Sequence, residues 1–176
     1  MPRPAVSADT ETMKQKLSLM LVLGLLAAAL PMGANAEAGS TCWSSKKAER
    51  RFATKINKAR SGSSLGSLKL DPELSRVARR HTKEMIKADR LHHTTVRALS
   101  RRVTNWVTLG ENVGVGGSVR SLHRAFMNSA SHRDNILLKT YNHVGVGTKR
   151  ASGKLWVTVV FEAQTNPGTT LRMPSC

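Results

Sequence analysis

The chain is expected to fold as an α+β domain, with a small antiparallel sheet held between helical layers. Three observations predict this. Two early stretches, from Ser44 or Ser45 to about Arg60 and from Pro72 to about Asp89, carry apolar residues at helical spacing, with lysine and arginine on the other side. The end of the chain alternates with a period of two, as a hairpin does. Between them, Gly110 to Gly147 interleaves glycine and apolar residues with acids, imidazoles, arginines and asparagines. Polar groups embedded in core-like sequence usually line something.

The elements follow in order. Ser44 or Ser45 can cap a first helix running to about Arg60, with Phe52, Ile56 and Ala59 inward. Ser61-Gly62-Ser63-Ser64 ends it, and Leu65, Leu68 and Leu70 pack a short connection. Asp71-Pro72-Glu73 starts a second helix: aspartate caps free amides, proline fits the first turn and glutamate complements the dipole. Its stripe is Leu74, Val77, Ala78, His81, Met85 and Ala88, and His81 is expected to be a hydrogen-bonded core histidine. His92 and His93 end this helix; adjacent side chains diverge, so at most one is expected to reach a shared site. Residues 97–104 are basic and are expected to form a surface loop.

Residues 105–109 then form a short strand, and Gly110-Glu111-Asn112-Val113-Gly114 a turn in which Glu111 and Asn112 either bond backbone amides or serve function. Ser118 caps a third helix with Val119, Leu122, Phe126 and Ser129 along one face, and His123 at its edge. His132 precedes Arg133 with Ile136 and Leu137 behind it, which makes a half-buried imidazole as reasonable as a solvated turn. Val144, Val146 and Thr148 make one strand, residues 150–154 the turn, and Leu155 to Glu162 the second. Both alternating sets are mostly apolar, so the hairpin is covered on both faces.

Composition sets the compartment. Lys14 and Lys16 precede an apolar run from Leu17 to Leu30, followed by Pro31 and Ala34-Asn35-Ala36. This is the pattern of a secretory signal peptide over 1–36, cleaved after Ala36, with Met13 an alternative start. The run is shorter than the roughly 20 residues of a membrane span. The mature chain would be one domain with no transmembrane segment, acting as a monomer. The net charge is +17, and the expected leader carries only one unit of it. So basic an exported chain favours anionic cell-envelope polymers or lipid head groups as partners. Nucleic acid is disfavoured: aromatics are few, and no helix-turn-helix, zinc-finger or RNA-recognition pattern is present. Cys42 and Cys176 are the only cysteines. Export permits a disulfide, and an intramolecular bridge is the expected pairing; an intermolecular bridge or two free thiols are the alternatives.

The order of motifs resembles a known family. It comprises Ile56-Asn57 with Arg60; Leu70-Asp71-Pro72-Glu73-Leu74 with Ala78 and His81; His93-Thr94; Gly110-Glu111-Asn112-Val113; Ser131-His132-Arg133-Asp134-Asn135-Ile136-Leu137; Val144-Gly145-Val146-Gly147; and Trp156-Val157-Thr158 with Phe161. Together these are similar to the CAP superfamily of cysteine-rich secretory, antigen-five and pathogenesis-related proteins, in its compact bacterial SCP-like branch. The likeness covers about residues 46–163, leaving 37–45 as an arm with Cys42 and 164–176 as a tail with Cys176.

The resemblance implies an α–β–α sandwich with a central cavity that in some members holds two histidines, two glutamates and a divalent metal. Carried over, the set is His93, Glu111 and His132, with the second glutamate replaced by Ser129. Zinc or another divalent cation is what His93, Glu111 and His132 could ligate, with a water position left open. The alternative is a hydrogen-bonded polar core, with Glu111 bridging both imidazoles and Ser129 and Asn112 completing it. A Ser129–His132–Glu111 triad has the residue types but lacks a nucleophile elbow.

The expected function is therefore a secreted, non-enzymatic domain that binds a lipid, a metal or an anionic envelope polymer. A metal-assisted extracellular hydrolase is the alternative, and a basic nucleic-acid-binding protein the weaker one.

Overall fold

The computed structural model describes residues 43–164. The expected signal peptide, the Cys42–Cys176 pairing and the tail beyond Gln164 lie outside the described residues. The elements are α1 (Lys47–Ser61), β1 (Lys69–Leu70), α2 (Pro72–Lys87), α3 (Val96–Arg102), β2 (Thr108–Gly116), α4 (Val119–Asn128), α5 (Ala130–Leu137), β3 (His143–Ala151) and β4 (Lys154–Ala163). No helix among the described residues is long and apolar enough to cross a membrane.

The sheet order is β1-β3-β4-β2. β3 and β4 form the expected hairpin, closed by Ser152 and Gly153, both at positive φ. Two such residues give a turn whose twist matches the flanking strands. β2 runs antiparallel beside β4 and forms one edge. The sheet is mixed, not wholly antiparallel, because β1 pairs parallel with β3.

Alternation along β4 sorts the core into two layers. Leu155, Val157, Val159 and Phe161 join Phe52, Ile56, Leu122, Phe126 and Ile136, so this face carries α1, α4 and α5. Val160 packs with Leu74, Val77 and Ala78, and Trp156 with Met85, so the opposite face carries α2. Gly145 and Gly147 of β3 explain how closely α2 sits. A Cβ at Gly145 would overlap the backbone at Leu74 and Ser75, and one at Gly147 the backbone at Ala78 and Arg79. The α–β–α sandwich follows from this two-faced burial.

Local signals worked where the partner was local. Asp71 Oδ1 accepts the Leu74 amide at 2.9 Å, and Ser118 Oγ accepts the Ser121 amide at 3.1 Å. At the start of α1 the local signal pointed to the wrong residue. Neither Ser44 nor Ser45 caps α1: the N-cap is Lys46, whose amide donates to Glu49 Oε2 at 2.8 Å. Glu49 also receives both nitrogens of an Arg79 fork, at 3.0 and 2.6 Å, joining α1 to α2. Ala88 is exposed and sits past the end of α2.

The segment expected as a basic loop is α3. Thr95 caps it by accepting the Ala98 amide at 3.2 Å, and Leu99 and Val103, four apart, anchor it to the α2 face. Gly110 to Gly114 are not a turn but the middle of β2. Strand pairing with Val157 to Phe161 absorbs the glycines, two of which leave room for α4 and α5 side chains.

Two motif residues are now explained as scaffold. Asn57 brackets Leu68, its amide donating to the Leu68 carbonyl at 3.0 Å and accepting from the Leu68 amide at 2.9 Å. Arg60 is 1% exposed and donates to the carbonyls of Gly66, Ile136, Leu138 and Tyr141 at 2.8 to 3.2 Å. One guanidinium thus closes the α1 turn and fastens the segment between α5 and β3.

Candidate functional site

The site forms at the free edge of β2, where groups from both faces of the sheet meet. Successive strand residues point to opposite faces. Glu111 therefore reaches toward the loop between α2 and α3, and Asn112 toward α5. Glu111 is buried and fully engaged. Its Oε1 accepts the Thr94 amide at 2.8 Å and faces His93 Nδ1 at 3.0 Å, while Oε2 accepts the Thr94 hydroxyl at 2.6 Å. This carboxylate pins the loop to the sheet. The His93 ring is held through Nδ1, and its side chain stays 59% exposed, which leaves Nε2 as the accessible nitrogen.

His92 turns the other way. Its ring meets His81 edge-on at 5.1 Å, and its carbonyl lies 2.7 Å from His81 Nε2. His81, 1% exposed, is thus the hydrogen-bonded core histidine the sequence suggested.

On the other side, α5 caps the outer edge of β2. Asn135 Nδ2 lies 3.2 Å from the Glu111 carbonyl, and His132, one turn earlier, faces the Val113 backbone. Residues three apart on a helix share a face, so the pair matches alternate outward positions of an edge strand. Asn135 Nδ2 also donates to Asn112 Oδ1 at 2.9 Å, and Asn112 Nδ2 to the His132 carbonyl at 2.9 Å. An edge strand left bare would present unpaired amides and carbonyls to solvent; these side chains occupy them. Asn135 was not among the expected site residues, although its three-residue spacing from His132 was there to be used.

His132 stacks on Phe126 at 4.7 Å with the rings nearly parallel, and its Nδ1 is 2.8 Å from Ser129 Oγ. Burial, then the nearby His93, hold its pKa below the ordinary histidine value; the Val113 hydrogen bond opposes them. The imidazole is therefore neutral near pH 7. Ser129 is the N-cap of α5, at the junction with α4 rather than along the face of a single helix.

These contacts decide between the expected arrangements. Glu111 binds one imidazole, His93, and does not bridge to His132. A Ser129–His132–Glu111 triad is not assembled either: Ser129 and His132 touch, but the Glu111 oxygens bond His93 and Thr94 and not His132. As zinc ligands, His93, Glu111 and His132 fit poorly. Nδ1 of His132 is taken up by Ser129, Nδ1 of His93 by Glu111, and both oxygens of Glu111 are engaged. Among the described residues no group of three His, Cys, Asp or Glu side chains is placed to hold a metal ion.

Two cavities share His93 and Glu111 as a common wall. A polar one of about 100 Å³ is completed by Asn112, Ser131, His132 and Asn135. A larger one, about 330 Å³, is lined by Thr94, Val96, Leu99, Ser100, Trp106, Leu109 and Gly110. The second exists because residues 96–102 are a helix. Its α3 lining is invisible to sequence reasoning, because the segment reads as solvated loop.

The profile of the CAP, or cysteine-rich secretory protein, family matches residues 53–161. This chain belongs to the CAP family. It is 29% identical over 115 residues to the uncharacterized protein YkwD of Bacillus subtilis, a match spanning 61% of this chain and 44% of that protein. The chain thus spans under half the length of its curated relative. Its fold is similar to an outer surface protein of Borrelia burgdorferi, with TM-score 0.61 and 16% identity over 66% of this chain and 92% of the other. It is also similar to an extracellular SCP-domain protein of Bacillus anthracis, with TM-score 0.60 and 23% identity over 66% of this chain and 40% of the other. At such identities the two structures speak to the fold alone.

Proposed function

We propose that this is an exported CAP-domain binding protein whose ligand is a small amphiphile with a hydrogen-bonding head and an apolar body. The observation that carries this is the junction of the two cavities at His93 and Glu111. The larger one, at the lower end of the roughly 300–1,000 Å³ common for ligand sites, has a mostly apolar wall and few polar groups. The accessible nitrogen of His93 stands where the polar wall begins, so it is the group placed to bond a ligand head. An apolar body would then displace water from Val96, Leu99, Trp106 and Leu109. Export is supported by the leader-like N-terminus and by the extracellular and outer-surface descriptions of the structural relatives.

The test is titration with a dansyl-labelled fatty acid, followed by its fluorescence. Ser100→Trp, on the pocket wall but only half-buried, should fill the larger cavity and abolish the signal without altering the circular dichroism. Absence of saturable binding by the unaltered protein, or equal binding by Ser100→Trp, would refute the proposal.

A further inference from the structure

We infer that the segment from Arg90 to Trp106 is a docking surface for an anionic phospholipid bilayer. Two features coincide here. Large apolar side chains stand in solvent at the mouth of the larger cavity, Val96 85% exposed and Trp106 41% exposed. At that exposure Val96 contributes little buried area to the core. Trp106 is oriented by its indole Nε1, which donates to the Ser100 carbonyl at 3.2 Å, so the ring is held at the rim.

The second feature is charge. Residues 90–107 contain four arginines and no acid. Arg102 is paired with Glu84, at 2.9 Å. Arg90, Arg97 and Arg101 are exposed and have no ion-pair partner among the described residues. On α3, Arg97 and Arg101 lie four apart and form a basic stripe next to Val96 and Ser100. Acids elsewhere do little to offset them. Asp89, exposed beside Arg90, cancels one charge at most, Asp134 is exposed on α5 outside this segment, and Glu49, Asp71, Glu73, Glu111 and Glu162 are all buried.

Apolar tips flanked by unpaired guanidinium groups suit a bilayer better than a soluble polyanion. A polymer would use the arginines and gain nothing from Val96. At a membrane, Val96 and the Trp106 ring enter the acyl boundary while the arginines stay level with the phosphates. Docking would set the cavity mouth against the lipid surface, where an amphiphile could enter without crossing water. The docking itself does not depend on the cavity being a ligand site.

The test is co-sedimentation of the protein with phosphatidylcholine vesicles, with and without phosphatidylglycerol. Binding is expected only with phosphatidylglycerol. Neutralising Arg97 or Arg101 to Gln should weaken it about five-fold each, and Val96→Asp should abolish it. Ser100→Trp should retain vesicle binding while losing fatty-acid uptake, which separates a failed surface from a failed cavity. No binding to phosphatidylglycerol vesicles would overturn the inference. So would binding that Val96→Asp leaves intact and soluble polyglutamate competes away, because that would make the surface a polymer site.

Discussion

Glu162 offers the sharpest test of the buried electrostatics. It lies near the end of β4, opposite His143, and is 2% exposed. Its Oε1 has no hydrogen-bond partner among the described residues. Burial, then Asp71 and Glu73 at the start of α2, raise its pKa from 4.5 to about 7. Those two acids already answer the positive end of that helix, so its dipole does little to lower the value.

The sign follows from linkage. In the unfolded chain the group loses its proton near 4.5; in the folded protein it keeps it until about 7. Its stabilising contribution is full below the lower value and is lost as pH rises through the higher one. A shift of this size, at about 1.4 kcal/mol per unit, makes the protein roughly 2.5 kcal/mol more stable at about pH 5 than at about pH 8, from this residue alone. His143, His132 and His123 oppose it. Burial lowers all three, so each removes stability as pH falls through the ordinary histidine range.

The difference between the wild type and Glu162→Gln cancels those histidines. The amide mimics the protonated acid and does not titrate. Urea unfolding at the two pH values should show the variant gaining on the wild type by roughly 2.5 kcal/mol toward alkaline pH. Parallel pH dependences would refute the burial argument.

Other outcomes follow from the scaffold and the site. Arg60→Met should lower stability by about 3 kcal/mol in denaturant melts, since it strands buried carbonyls of Gly66, Ile136, Leu138 and Tyr141; an unchanged midpoint would count against the clamp. Gly147→Ala forces α2 off the sheet and should cost about 1–3 kcal/mol, whereas Gly66→Ala, with open space around it, should be near neutral by thermal melt. Zinc calorimetry near neutral pH should show no tight stoichiometric binding, because His132 and Glu111 are already hydrogen-bonded; tight binding lost in both His93→Ala and His132→Ala would reverse that conclusion.

Much of the fold was legible because its signals are local. Asp71-Pro72-Glu73 announces α2 whatever surrounds it, and the alternation in 155–162 announces a strand buried on both faces. The motif order also pointed to the CAP family and marked Glu111 and His132 as inward-facing. What the residues could not show was which groups each polar side chain would meet. Gly110–Gly114 looks like a turn until β4 lies beside it, and residues 97–104 look like basic loop until Leu99 and Val103 find the α2 face.

The chemistry of the cavity divides the same way. Sequence alone set Glu111, Asn112 and His132 among core-like neighbours, and the motif order added His93 and Ser129 to them. Only the tertiary structure decided that Glu111 pins Thr94, that His132 and Asn135 cap the edge of β2, and that an apolar cavity opens under α3. The physical reason is that a hydrogen bond satisfies whichever partner the packing brings within about 3 Å. That partner is fixed by strand register and helix placement, which involve residues far apart in the chain.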